Sequence, residues 1–224
     1  KVFKANLDLV SHGLVIHTWG NVSGRDFNSG LIVIKPSGVS YESMKPDDMV
    51  VIDIEGKVIE GKFKPSTDAP THLVLYNTYA SLGGIVHTHS TFATSWAQSG
   101  KAIPPFGTTH ADHYYGSVPC TRLLTDKEIE NNYEINTGKV IVETLAAVNP
   151  LTVPSVLVNS HGPFCWGTDP ENAVYNAVAL EEIARMAFYT VLLGRSEPVN
   201  KTLLDKHFNR KHGKDAYYGQ AKSE

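Results

Sequence analysis

From Asn21 to Glu60 the chain reads as short strands, carried by three apolar runs, LIVIKP, MVVIDI and KVIEG, each bounded by turn formers, and no other feature restricts its fold as much. Runs of this length read as strands. The last two meet across Glu55 and Gly56, a connection so short that only antiparallel neighbours can use it. Elsewhere the apolar period becomes helical. Residues 1 to 14 place Val2, Phe3, Leu7, Leu9, Val10 and Leu14 at spacings that suit an amphipathic helix ended by His12 and Gly13. STDAPTHLVLYNTYAS opens with capping residues Ser66 to Asp68, has Pro70 in the first turn and keeps helical spacing to Tyr79. A strand over Gly84 to Thr88 and a helix over about Ser90 to Gln98 follow. Tyr133 to Ala147 and Glu171 to Leu193 read as helices, with VPSVLVNS as a buried strand between them and KTLLDKHFNRKHG as the closing helix. Pro104 to Gly116 and Gly194 to Asn200 read as irregular. Strands and helices mixed in this way predict one layered α/β domain over residues 1–224, built on a largely antiparallel sheet.

Composition narrows the function classes. A hydrophobic content of 42%, a charged content of 19% and a formal charge of -3 are ordinary for a globular protein and give no polyanion-binding surface, so nucleic acid is not an expected partner. Cys120 and Cys165 are too few for a disulfide framework and lack metal-type pairing, which favours a reducing compartment. The apolar segment Ala173 to Leu193 is interrupted by Glu181, Glu182 and Arg185, so no membrane span is expected. The first residues have no signal-peptide pattern, and because the chain opens at Lys1 a few residues are expected to precede it. The expectation is a cytoplasmic enzyme or binding protein.

GGIVHTHS ends an apolar run with two histidines. Side chains at i and i+2 of a strand share a face, so His87 and His89 are predicted to project together and offer two nitrogens to one ion. A lone HxH is more often an exposed or hydrogen-bonded pair than a metal site. His161, in VLVNSHGPFCWG, is a third candidate at a strand end, and three histidines with one open position make a catalytic zinc site. Asp68 is a fourth ligand, a nearby base, or only a helix cap, the commoner role for aspartate in that place. His12, His17 and His72 have no paired spacing and are expected to be packed or surface histidines. His110 and His113 flank Asp112 in GTTHADHYYG, where aromatic and small polar neighbours suit either a turn residue or a proton carrier.

Three segments combine a cation with hydroxyls: WGNVSGR (19–25), KPSGVS (35–40) and KPSTD (64–68). They read as loops, and a phosphate needs what they offer, namely hydroxyls, free backbone N–H groups and positive charge. Ser66 and Thr67 also precede a helix, at the positive end of its dipole. No GxGxxG or GxxxxGK[ST] occurs, so the ligand class is a small phosphorylated metabolite rather than a nucleotide.

Taken in order, WGNVS, IKPSG, KPSTDAPTH, GGIVHTHS, GTTHADHYYG, NSHGPFCWG and LLDKHFNRKHGKDAYYGQ resemble the bacterial L-ribulose-5-phosphate 4-epimerases of the class II aldolase/adducin superfamily, from about Asn6 to Gln220. The resemblance implies a three-layer α/β/α domain with an antiparallel central sheet, assembled as a homotetramer with active sites between subunits. It implies one zinc ion per subunit on His87, His89 and His161, with Asp68 beside the metal. Manganese or cobalt is compatible with the same nitrogen ligands. It further implies a sugar-phosphate substrate whose phosphate meets Asn21, Lys35, Ser37, Gly38, Ser66 and Thr67. Thr67 stands where a second serine can occur and keeps the hydroxyl. Asp112 and Tyr218 match the family's proton-transfer pair, the tyrosine coming from the adjacent subunit; His207 belongs to that adjacent chain too, and Thr108 lines the pocket.

The implied reaction fits such groups. C4 of L-ribulose 5-phosphate is not adjacent to the ketone carbon, so its hydrogen is not acidic and inversion requires the C3–C4 bond to break. Retro-aldol cleavage, rotation of the aldehyde and recombination invert the centre. A Lewis acid must stabilise the enediolate, phosphate contacts must retain the detached fragment, and two acid–base groups must serve alternate faces of the aldehyde. The resemblance also admits two rivals: an L-fuculose-1-phosphate-type aldolase, whose members typically carry glutamate at the position of Asp68, and a metal-free adducin-like scaffold. A zinc hydrolase of the HExxH kind lacks its glutamate here.

Overall fold

The computed structural model describes residues 1–219; Gln220, where the resemblance ends, lies outside the described residues. Its seven strands are β1 (Asn21–Arg25), β2 (Ile32–Ile34), β3 (Val50–Ile52), β4 (Val58–Glu60), β5 (Gly84–His87), β6 (Ser155–Val158) and β7 (Gly162–Gly167). They form one sheet in the order β4-β3-β2-β1-β5-β7-β6, and every neighbouring pair is antiparallel. The helices are α1 (Val2–Ser11), α2 (Ala69–Thr78), α3 (Thr91–Gln98), α4 (Thr108–Ala111), α5 (Asp126–Glu130), α6 (Tyr133–Thr144), α7 (Pro170–Leu192) and α8 (Lys201–His212).

Side-chain alternation sorts the strands into two cores. Val22, Val86, Leu157 and Cys165 pack on one face with residues of α1, α3 and α7. Ile32, Ile34, Val50, Ile52, Ile85, Val156, Val158, Phe164 and Trp166 pack on the other with residues of α2 and α6. The result is the α/β/α sandwich that the resemblance implied. α7 starts where expected, with Pro170 in its first turn and the Asp169 side chain accepting from the Asn172 N–H at 2.8 Å. Among the described residues no helix is long and apolar enough to cross a membrane.

Three local readings need correction. Asn21–Arg25 is not a loop but β1, in the interior of the sheet between β2 and β5. Its polar residues look like loop residues in sequence. Ser23 is fully buried because its Oγ bonds His72 Nδ1 at 2.7 Å and the Tyr76 hydroxyl at 2.9 Å. GPFCWG is likewise a full strand, β7, where only a strand end was expected; its place between β5 and β6 buries Phe164 and Trp166 completely. Finally, the stretch around Asp112 contains the short helix α4, too brief to give a periodic signal.

Candidate metal centre and active site

His87 closes β5 and pairs with Asn21 of β1 and Phe164 of β7. Directly paired residues share a face, and the rings of His87 and Phe164 stack at 4.3 Å with an 18° interplanar angle. His87 Nδ1 lies 2.9 Å from the Pro163 carbonyl. A carbonyl can only accept, so Nδ1 carries the hydrogen and Nε2 presents its lone pair. His89, just past the strand end, brings its Nε2 to 3.1 Å from His87 Nε2. His161 arrives from the tip of the β6–β7 hairpin, where Ser160 adopts a left-handed φ of 61°. Gly162 lets that tip close onto the HTH segment: a Cβ there would sit 2.8 Å from the Thr88 carbonyl oxygen.

One ligand nitrogen from each of His87, His89 and His161 lies within 4.8 Å of the other two. Nitrogens on one tetrahedral ion at about 2.0–2.1 Å sit roughly 3.3 Å apart, close to the observed His87–His89 spacing. The protonation states agree. Burial pushes the His161 imidazole down to about 3, assisted by neighbouring His87 and His89, and burial likewise lowers His87 and His89. Three neutral rings converging with free lone pairs are a ready metal ligand set. Tyr133, at the start of α6, places its hydroxyl 3.2 Å from His161 Nδ1, a contact that orients the ring. Sequence reading missed Tyr133, which lies far from His161 along the chain and belongs to no motif.

Asp68 occupies the N-cap position of α2, but its side chain makes no capping bond. Instead its Oδ2 accepts from Asn21 Nδ2 at 2.7 Å and lies near Ser66 Oγ at 3.5 Å. Burial pushes the Asp68 carboxyl up, while the adjacent His87 and His72 imidazoles, the Asn21 hydrogen bond and His161 outweigh it and hold it below its ordinary value. The helix-cap role is therefore not the one the geometry shows. His72, expected to be a packed histidine, is fully buried and held near 3, mainly by desolvation.

A cavity of ≈ 480 Å³ is lined by the three histidines and Asp68 together with Asn21, Lys35, Ser37, Gly38, Ser66 and Thr67, with Trp19 at its rim. Two segments expected to hold an anion form one wall. The Ser37 N–H donates to the Lys64 carbonyl at 3.0 Å, the Ser66 N–H donates to the Lys35 carbonyl at 2.9 Å, and Pro36 and Pro65 form an antiparallel bridge. Gly38 turns this wall with a φ of +67°, a conformation that side chains rarely adopt. Lys35 is only 2% exposed, and its Nζ donates to the Val39 and Pro36 carbonyls at 2.8 and 3.3 Å above the Tyr41 ring. Among the described residues the lysine ion pairs are those of Lys62, Lys201 and Lys211, so the buried Lys35 has no carboxylate partner. A buried cation without a counter-charge beside an open cavity favours an anionic ligand.

Thr108, Asp112, His207 and Tyr218 do not line this cavity. They gather where α4 meets α8. Asp112 Oδ1 accepts from His207 Nδ1 at 3.0 Å and from Arg210 Nε at 3.0 Å, and Oδ2 accepts from Arg210 Nη2 at 2.6 Å, with Lys211 Nζ at 3.6 Å. Burial pushes the Asp112 carboxyl up, but the Arg210 and His207 hydrogen bonds and the Lys211 charge hold it below the usual carboxylate range. His207 and Asp112 are thus hydrogen-bonded to each other within one chain. Tyr218 is 60% exposed at the end of the same cluster.

Comparison with known proteins bears on this constellation. The family described as "Class II Aldolase and Adducin N-terminal domain" matches residues 1–188. A relative named "L-ribulose-5-phosphate 4-epimerase UlaF", from Salmonella paratyphi B (strain ATCC BAA-1250 / SPB7), is 58% identical over 221 residues, 98% of this chain and 97% of its own length. A Salmonella typhi protein of the same name matches with the same identity and coverage. Among solved structures, an L-fuculose 1-phosphate aldolase superposes with a TM-score of 0.79 at 25% identity over 93% of each chain. The L-fuculose 1-phosphate aldolase from Glaciozyma antarctica PI12 shares the fold, with a TM-score of 0.75 at 19% identity over 93% of this chain and 79% of that one. With the sheet order, the histidine triad and a family match over most of its length in agreement, this chain belongs to the class II aldolase/adducin family.

Proposed function

We propose that this protein is a cytoplasmic, zinc-dependent L-ribulose-5-phosphate 4-epimerase that works as one domain per subunit of a homotetramer. The observation that carries the reading is the placement of the histidine triad and the unpaired Lys35 in a single cavity, the combination needed to hold a sugar phosphate at both ends. The full-length likeness to proteins named as epimerases selects this reaction over aldolase chemistry, and the short Asp68 agrees. When bound, zinc supplies a Lewis acid for negative charge developing on a substrate oxygen.

The chain's own residues do the rest. His87, His89 and His161 hold the ion, and Asp68 stands beside them, as a further ligand or as a base. Asn21, Lys35, Ser37, Gly38, Ser66 and Thr67 bind the phosphate, so the aldehyde fragment stays in place while it rotates; the Asn21 amide also donates to Asp68. Asp112, His207 and Tyr218, with Thr108, are delivered to this cavity by a neighbouring protomer and move the proton of the C4 oxygen. Assembly is supported by the apolar end of α7, where Tyr189, Val191, Leu192 and Leu193 are exposed, Leu193 to 88%.

The test is incubation of zinc-loaded protein with L-ribulose 5-phosphate. D-xylulose 5-phosphate is expected as the product. Equal amounts of free dihydroxyacetone and glycolaldehyde phosphate without it would assign an aldolase instead, and full turnover after chelation would remove the metal from the reading.

A further inference from the structure

We propose that Arg210 is a positioning residue that couples the two proton carriers, its guanidinium fixing the plane of the Asp112 carboxylate while its backbone and side chain together seat Tyr218. The inference rests on the epimerase reading above and adds a residue to it.

His207, Arg210 and Lys211 stand at i, i+3 and i+4 of α8 and so share one face of the helix. That face covers Asp112, the C-cap residue of α4. Arg210 meets both carboxylate oxygens, Nε to Oδ1 at 3.0 Å and Nη2 to Oδ2 at 2.6 Å. This two-point contact sets the rotation of the carboxylate as well as its position, which a single point charge cannot do. His207 reaches Oδ1 alone, and Lys211 stands off at 3.6 Å. Without the fork the carboxylate is left free to turn.

The same residue holds the tyrosine segment. The backbone N–H groups of Tyr217 and Tyr218 both donate to the Arg210 carbonyl at 3.0 Å. The Arg210 Cζ lies 5.0 Å from the centroid of the Tyr218 ring. A cation on an aromatic face is attracted to its electron density, and the attraction grows when negative charge enters the ring. Lys211 Nζ is closer to that ring, at 4.5 Å, but among these residues only Arg210 touches Asp112 and Tyr218 through paired, directional contacts. One residue thereby fixes the relative placement of a group that must accept a proton and a group that must give one. Misplacement by about 1 Å is enough to cost roughly a hundredfold in rate.

The experiment compares Arg210→Gln and Arg210→Lys with the wild type in the L-ribulose 5-phosphate assay, with zinc content measured on each. Both variants are expected to retain zinc and to lose roughly a hundredfold in kcat, with KM changed by less than about threefold, because neither carries the fork. Added guanidinium chloride should restore part of the Gln variant's kcat, and methylammonium should not. The acidic limb of the Lys variant's kcat profile should differ from that of the wild type, since Asp112 has lost two hydrogen bonds. Should the Gln variant fail to fold, the Lys variant decides alone. A Lys variant with wild-type kcat and pH profile overturns the proposal while leaving the epimerase reading intact. A wild type that neither epimerises nor cleaves the sugar overturns both.

Discussion

Replacing Lys35 with methionine should weaken phosphate binding strongly while leaving the fold almost as stable as before. Lys35 keeps a charge in a place with 2% exposure, and burial depresses its pKa. Its removal forfeits hydrogen bonds to the Val39 and Pro36 carbonyls, about 1.5–3 kcal/mol for each charged donor contact, and about 1 kcal/mol from the Tyr41 ring. It also removes the desolvation of an ammonium, a cost of several kcal/mol. These oppose one another and leave a net change within about 2 kcal/mol of zero, so Tm should shift by no more than about 8 °C. The functional loss has no such offset. One charge-assisted contact to phosphate contributes about 1.5–3 kcal/mol, which raises KM for the sugar phosphate roughly ten- to a hundredfold. Thermal melts in rising inorganic phosphate give an independent measure, because a ligand that binds only the folded state raises its Tm. The wild type should be protected and the variant should not. An unchanged KM together with intact phosphate protection, or a Tm fall beyond about 10 °C, would show that Lys35 is a structural cation and refute the reasoning.

Other outcomes follow from single contacts. Tyr133→Phe removes the hydroxyl that contacts His161 Nδ1 and should weaken metal affinity about tenfold, read by competition with a chromogenic chelator; unchanged affinity would deny Tyr133 its orienting role. Gly162→Ala forces a Cβ to within 2.8 Å of the Thr88 carbonyl oxygen. It should cost about 1–3 kcal/mol in chemical denaturation and lower bound metal with it, whereas a variant that matched the wild type in both would show that the hairpin tip yields easily. Because the folded Asp112 carboxyl is held below its ordinary value, its contribution to seating α8 is complete above about pH 4 and is lost as pH falls through the folded value. The α8 amides should therefore lose protection against exchange in acid before the sheet does, and protection that falls equally across α8 and β5 would contradict this.

Periodicity made most of the frame legible. The apolar alternation of β2, β3 and β5 and the long helical pattern of α7 sort into the two faces that the sheet buries. β1 escaped because Asn21 and Ser23 are polar for a reason visible only in three dimensions, their partners Asp68, His72 and Tyr76 lying on a helix that crosses them. α4 and α5 were too short for a period to register. In the candidate site, residues within motifs were found and residues acting from behind were not. Tyr133 carries no local signal, since its relation to His161 is created by α6 packing against the sheet. Arg210 did carry one, its three-residue spacing from His207 on a helix, but a spacing on an exposed face acquires meaning only once Asp112 is known to lie beneath it.

His87 ends one strand and His161 caps the hairpin that begins its neighbour, and those strands are already laddered together, His87 opposite Phe164. An ion bridging them would therefore act as a clasp on a seam already sewn. It contributes little to which topology the chain adopts and much to how often the seam breathes at one end. Stripping the ion should accordingly loosen the tip around Asn159 to His161 in solution while the amides deep in both cores exchange as slowly as before.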